Sequence, residues 1–145
     1  MTEGLHDKEI SDLFNLAGSI IVRWTSLNWG VSMYIDKCKN GTSDHCETFK
    51  ISEKPIAYRI KNLISALIGK DKLFMSESDL ETKLNRMREI RNSIGHWLLT
   101  KKGDGSWGFH YAKSNTTVDV VSLYTEFFSL YSEINEPLTQ IITNP

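Results

Sequence analysis

The chain has 145 residues, 40% hydrophobic and 24% charged, an ordinary globular composition with room for one core. Its formal net charge of -1 excludes chain-wide attraction to nucleic acid or acidic membranes, so any anion-binding surface has to be a local patch. No stretch reaches the roughly 18 uninterrupted apolar residues of a membrane span, and the start Met1-Thr2-Glu3-Gly4-Leu5-His6-Asp7 lacks the basic and apolar regions of a secretory signal. A single soluble, cytoplasmic domain over residues 1–145 is expected.

The first element is the clearest. Ile10, Leu13, Ala17, Ile20, Trp24, Leu27, Val31, Tyr34 and Cys38 recur at alternating steps of three and four, one continuous seam of a helix packed on other helices. Phe14, Ile21 and Ile35 widen the stripe. A helix over 7–39 would be roughly 50 Å long at 1.5 Å per residue. Gly18 and Gly30 inside it permit either close helix approach or a bend. The polar run Asn40-Gly41-Thr42-Ser43-Asp44 has loop composition. Cys38 and Cys46 flank it, with His45 between them. Without a fourth ligand or zinc-module spacing they are expected as reduced thiols, and neither a metal site nor a cofactor is expected.

A second helix is expected over 53–69, with Pro55 in its first turn, Ile56, Ile60, Leu63 and Leu67 as its seam and Gly69 as its end. Ser78 and Glu81 read as a capping box opening a third helix over 78–99, with Leu80, Leu84, Met87, Ile94 and Leu98 on its buried face. Gly103-Asp104-Gly105 signals a turn, and Trp107, Phe109 and Tyr111 alternate at the period of a strand, so a small β-hairpin near 98–112 is expected with its aromatic face on the bundle. Thr116 and Asp119 suggest another capping box. Val120, Tyr124, Phe127, Tyr131, Ile134, Leu138 and Ile141 carry the fourth helix over 117–141, which Pro137 should kink or end. The expected fold is all-α: an antiparallel bundle of four long amphipathic helices with a small β-hairpin between the third and fourth. The aromatics Trp24, Phe127, Phe128 and Tyr131 are assigned to its core.

One segment suggests chemistry. The segment from Arg86 to His96 concentrates three arginines (Arg86, Arg88 and Arg91), Asn92 and a histidine. Arg88, Asn92 and His96 lie four apart on one helical face, and Asn85 joins them. Arg91 instead falls on a step of the apolar seam, where a charge is costly without a partner. Either an ion pair, with Glu89, Glu81 or Asp12, or an anion would account for it. Histidine exchanges protons near neutral pH, and the arginine fork suits phosphate oxygens and the charge that builds on them. These residue types suit RNA cleavage by a ribose 2′-hydroxyl without a metal. His6, His45 and His110 have no evident partners in sequence, and Lys101-Lys102 lies close enough to the segment to extend a basic patch.

The run Arg91-Asn92-Ser93-Ile94-Gly95-His96 resembles the arginine, polar residue, three residues, histidine signature of HEPN domains. That family comprises helical bundles, many of them metal-independent endoribonucleases of toxin–antitoxin, phage-defence and RNA-processing systems. The resemblance implies that Arg91 and His96 are catalytic with Asn92 assisting, and that the protein is a homodimer with two motifs facing one cleft; for such a reaction Arg88 and Lys102 are expected to hold the flanking RNA backbone. It also implies an antitoxin or regulatory protein as a further partner. The geometry asks for such help: five residues at about 100° each leave Arg91 and His96 about 140° apart on an ideal helix. They converge through the arginine stem, distortion near Gly95 or a second subunit. The other reading of the chain is a non-catalytic HEPN-like bundle that binds a protein partner or a nucleotide.

Overall fold

The computed structural model describes residues 2–41, 44–96, 98–101, 103–105, 107–111 and 116–144, with side chains described except at 2–7, 95–96, 98–101, 107–109, 111 and 116–118. Five helices and three short strands follow in the order α1 (Thr2–Asn40), α2 (His45–Ser52), α3 (Ile56–Gly69), α4 (Glu77–His96), β1 (Leu98–Lys101), β2 (Trp107–Tyr111), β3 (Thr116–Val118) and α5 (Val120–Thr143).

The long helix α1 is the axis of the molecule, touching each of the other four helices. Its seam is buried from Leu13 through Ala17, Ile20, Trp24, Leu27 and Val31 to Tyr34. Opposite stand Ile60, Leu63 and Leu67 of α3, Leu80, Leu84, Met87, Ile90 and Ile94 of α4, and Leu123, Phe127, Ile134 and Leu138 of α5, in one apolar cluster. The three-and-four spacing therefore encodes the faces that meet. Ile35 joins this core, whereas Phe14 is exposed. Phe128 also departs from the expected core: it is 42% exposed, and the Arg23 guanidinium lies 5.3 Å from its ring centre. A Cβ placed on Gly30 would stand 3.6 Å from the side chain of Ile142 on α5, an ordinary van der Waals contact, so the packing there does not require glycine.

The expected count of four helices is corrected to five among the described residues. The additional helix, α2, follows a polar turn and is anchored at its start by Asp44, whose side chain accepts from the Cys46 amide at 2.8 Å. Only Thr48 and Ile51 of α2 are buried, too few for a visible seam. Caps shift as well. Ser76, not Ser78, opens α4, accepting from the Asp79 amide at 3.1 Å. Asp119 alone caps α5, accepting from the Val121 amide at 3.0 Å, while Thr116 belongs to β3. Pro137 sits inside α5, which continues to Thr143.

α3 ends at Gly69 as expected, but glycine is not the residue that turns the chain there. Amides of Asp71 and Lys72 donate to the carbonyls of Ile68 and Leu67 at 3.0 and 2.8 Å, a Schellman closure. The residue that adopts the left-handed conformation is Asp71, at φ 55°. Near 98–112 the backbone runs as an antiparallel sheet in the order β1-β2-β3, with Leu98 opposite His110 and Phe109 opposite Val118. Its third strand comes from the segment expected to start the last helix. β2 lies against α1 and α4. The side chains of Trp107, Phe109 and Tyr111 lie outside the described residues. No helix among the described residues is long and apolar enough to cross a membrane.

Candidate functional site

The motif helix α4 resolves its arginines into different roles. Arg86 is structural: its Nε and Nη2 donate to the two carboxylate oxygens of Glu126 on α5 at 2.6 and 2.8 Å. Its Nη1 also reaches Glu89 at 3.5 Å. This bidentate pair raises the arginine pKa and lowers that of Glu126, in each case mainly through the shared hydrogen bond. A second tie, between Lys83 and Glu133, joins the same two helices.

Arg91 escapes the core because its neighbour replaces it. Ile90 is 1% exposed and fills the seam, leaving Arg91 half-buried at the edge. No ion pair holds Arg91 among the described residues; Glu89 is engaged by Arg86 instead. A long contact of 3.4 Å joins its Nη1 to the side-chain oxygen of Asn92. Arg88 is half-buried too, and its Nε is enclosed without a hydrogen-bond partner among the described residues. His96 is the last residue of α4, but its side chain lies outside the described residues, as does Lys102. Asn85 lines a separate groove between α3 and α4 with Glu81 and Lys61.

Arg91 faces a groove of about 760 Å³ where four helices meet. α1 supplies Val22, Trp24 and Trp29, α2 supplies Phe49 and Ser52, α3 supplies Arg59 and α4 supplies Arg91. Among the described residues the groove thus carries two guanidinium groups and no carboxylate, in a chain whose formal net charge is -1. The Arg59 Nε is buried and has no hydrogen-bond partner among the described residues. Burial without compensation pushes this guanidinium below the usual arginine value. Phe49 is 55% exposed at the rim. His45, expected to be partnerless, places its ring 6.2 Å from that of Trp29.

Arg59, Trp29 and Phe49 were not among the sequence candidates. A signal existed for Arg59: it stands three residues after Ile56 and four before Leu63, so it too borders an apolar seam. A smaller cavity of about 170 Å³ lies elsewhere, lined by Tyr34, Lys37, Cys38, Lys70 and Lys72. Burial and a hydrogen bond with Cys38 push the Tyr34 hydroxyl up to about 12, so it is neutral at physiological pH. Both cysteines are free, Cys38 half-buried and Cys46 exposed.

No protein-family model, curated protein or solved structure was found to match the chain.

Proposed function

We propose that the protein is a metal-independent endoribonuclease of the HEPN type, cleaving single-stranded or loop RNA as a cytoplasmic homodimer. The observation that carries this reading is Arg91. It sits on a groove with no carboxylate in its lining and no ion pair among the described residues, on the same helix as Asn92 and His96. A guanidinium left unneutralised beside a cleft has its fork available for phosphate.

In this mechanism His96 takes the proton of a ribose 2′-hydroxyl. The 2′-oxygen attacks the adjacent phosphorus, and Arg91 stabilises the charge on the five-coordinate transition state. Asn92 orients the scissile phosphate, and Arg88 and Lys102 hold the flanking backbone. The bond from phosphorus to the 5′-oxygen breaks, and that oxygen leaves as an alcohol after protonation by water. The products are a 2′,3′-cyclic phosphate and a 5′-hydroxyl. The resemblance supplies the setting, a toxin–antitoxin, phage-defence or stress-response system with a protein regulator.

The test incubates purified protein with labelled RNA and with its all-DNA and 2′-O-methyl copies, with and without EDTA. Only the RNA should be cut, EDTA should not stop it, and Arg91→Ala should lose about 100- to 1000-fold in rate while staying folded. Cleavage of a 2′-blocked strand, or equal activity of His96→Ala and wild type, rejects the mechanism. A folded protein that cuts no RNA favours a non-catalytic bundle.

A further inference from the structure

We infer that the groove between α1, α2, α3 and α4 binds a nucleotide unit, with Arg59 and Arg91 on its phosphate and the aromatic rim of Trp29 and Phe49 against its base. The inference deepens the RNA-cleavage reading, on which its choice of strand rests, by naming where one nucleotide of the substrate lies.

Three features of the groove converge on this ligand. The first is charge: two arginines from different helices and, among the described residues, no carboxylate give a locally positive lining. The second is the buried, unpartnered Nε of Arg59. A native structure rarely leaves such a donor unmet, because its desolvation is not offset, and an anion entering the groove would offset it. The third is the apolar wall. Trp24 is buried and forms the floor, and Trp29 is backed by His45. Phe49 stands exposed at the rim with Val22, which is 67% exposed. Inorganic phosphate uses only the arginines, and an acidic peptide leaves the rings uncovered. A nucleotide uses both, because every base has a face that stacks on an aromatic ring. A volume of about 760 Å³ lies within the range of small-ligand sites.

Arg59 is a binding residue here and takes no part in proton transfer. It therefore predicts a loss of affinity that is separable from the loss of cleavage caused by His96→Ala. The experiment measures binding of a short fluorescent 2′-O-methyl RNA, which cannot be cut, to the wild type and to Arg59→Gln, Phe49→Ala and His96→Ala proteins. Adenosine monophosphate and inorganic phosphate serve as competitors. Arg59→Gln should bind roughly tenfold to 100-fold more weakly, and Phe49→Ala roughly fivefold to 150-fold more weakly. His96→Ala should bind like the wild type. Removing one phosphate contact should also lower the slope of log affinity against log salt by about 0.7, a change that a purely structural arginine would not produce. Phe49 is exposed, so its truncation reports on the groove even where an Arg59 variant folds poorly.

Competition by adenosine monophosphate but not by phosphate supports recognition of phosphate and base together. Equal binding by wild type, Arg59→Gln and Phe49→Ala overturns the inference while leaving cleavage to stand or fall alone. So does the absence of any nucleotide binding. Groove-dependent binding in a protein that cuts no RNA removes the nuclease reading and keeps the site. If Phe49→Ala instead separates a dimer and leaves nucleotide affinity unchanged, the rim is a self-association surface and the inference fails.

Discussion

Asp36 on α1 and Arg59 on α3 are both charged side chains drawn into the bundle. Asp36 is fully buried, yet its carboxylate is surrounded by donors. It accepts from the Asn40 side chain at 2.5 Å, the Asp44 amide at 2.9 Å and the Thr48 hydroxyl at 3.1 Å. Arg59 has an enclosed nitrogen with nothing to donate to among the described residues. The contrast separates two uses of a buried charge. A satisfied one fixes local structure, here the turn from α1 into α2. An unsatisfied one stores a cost that a ligand can relieve.

The largest expected effect tests the first half of that contrast. Asp36→Ala strands the Asn40 amide, the Asp44 backbone amide and the buried Thr48 hydroxyl, and should cost about 3 kcal/mol or more in urea unfolding. Asp36→Asn keeps the shape but replaces charge-assisted bonds, and should cost less. The pH dependence follows with a definite sign. The Asp44 amide and the Asn40 side chain hold the Asp36 carboxyl below its ordinary 3.8 against the opposing effect of burial. A lowered folded value contributes stability that is complete above 3.8 and disappears as pH falls toward that lower value. Wild type should therefore lose more stability than Asp36→Asn across that acidic window, with a loss of α2 helicity. Parallel acid profiles would show Asp36 to be unimportant.

The second half predicts the opposite direction. Arg59→Met keeps most of the apolar stem and removes the unpaired guanidinium. It should raise stability by about 1 kcal/mol and at the same time abolish the advantage of the groove for nucleotide. A substitution that stabilises the fold and weakens binding would mark Arg59 as a residue kept for a ligand. Loss of stability in Arg59→Met would mean that the guanidinium is already satisfied, and the contrast with Asp36 would disappear.

Arg86 lies between these cases. It is bidentate to Glu126, but each side chain is 42% exposed. Solvent screens the pair, so a double-mutant cycle over Arg86→Ala and Glu126→Ala should give only about 0.5–1 kcal/mol. A coupling well above that range would place this tie in the class of Asp36.

Much of the bundle was legible because helical burial repeats in sequence. The seams of α1, α3, α4 and α5 are local patterns, and the buried residues Leu13, Leu63, Met87 and Phe127 stand where the spacing puts them. α2 was not legible. Eight residues with two buried positions carry no period, and the helix is held by a contact between Thr48 and Asp36, twelve residues apart. The site was legible in part. Arg91 stood out as a charge on an apolar step, but its release to the groove depends on Ile90 taking the core position. Arg59, Trp29 and Phe49 come together only once α1, α2 and α3 are assembled, and no spacing along one helix can announce that. The paired placement of His96 and Lys102 falls outside the described residues.

The last test concerns backbone alone, with Asp71→Gly the smallest effect expected, and gives a baseline for the three side-chain tests. Asp71 closes α3 at φ 55°, the left-handed region that favours glycine. Its Cβ crowds the backbone there, a cost that aspartate bears more readily than most residues. Asp71→Gly removes that crowding but adds freedom to the unfolded chain, so the two terms oppose each other. The relief should prevail by about 0.5 kcal/mol, because the Schellman hydrogen bonds to Leu67 and Ile68 already fix the turn. Asp71→Val, with a branched Cβ in the same conformation, should destabilise by about 1 kcal/mol or more. Neither change lies on the groove, so nucleotide affinity should stay constant while the urea midpoint moves in opposite directions. If Asp71→Gly and Asp71→Val shift that midpoint alike, the carboxylate rather than the left-handed backbone governs the end of α3.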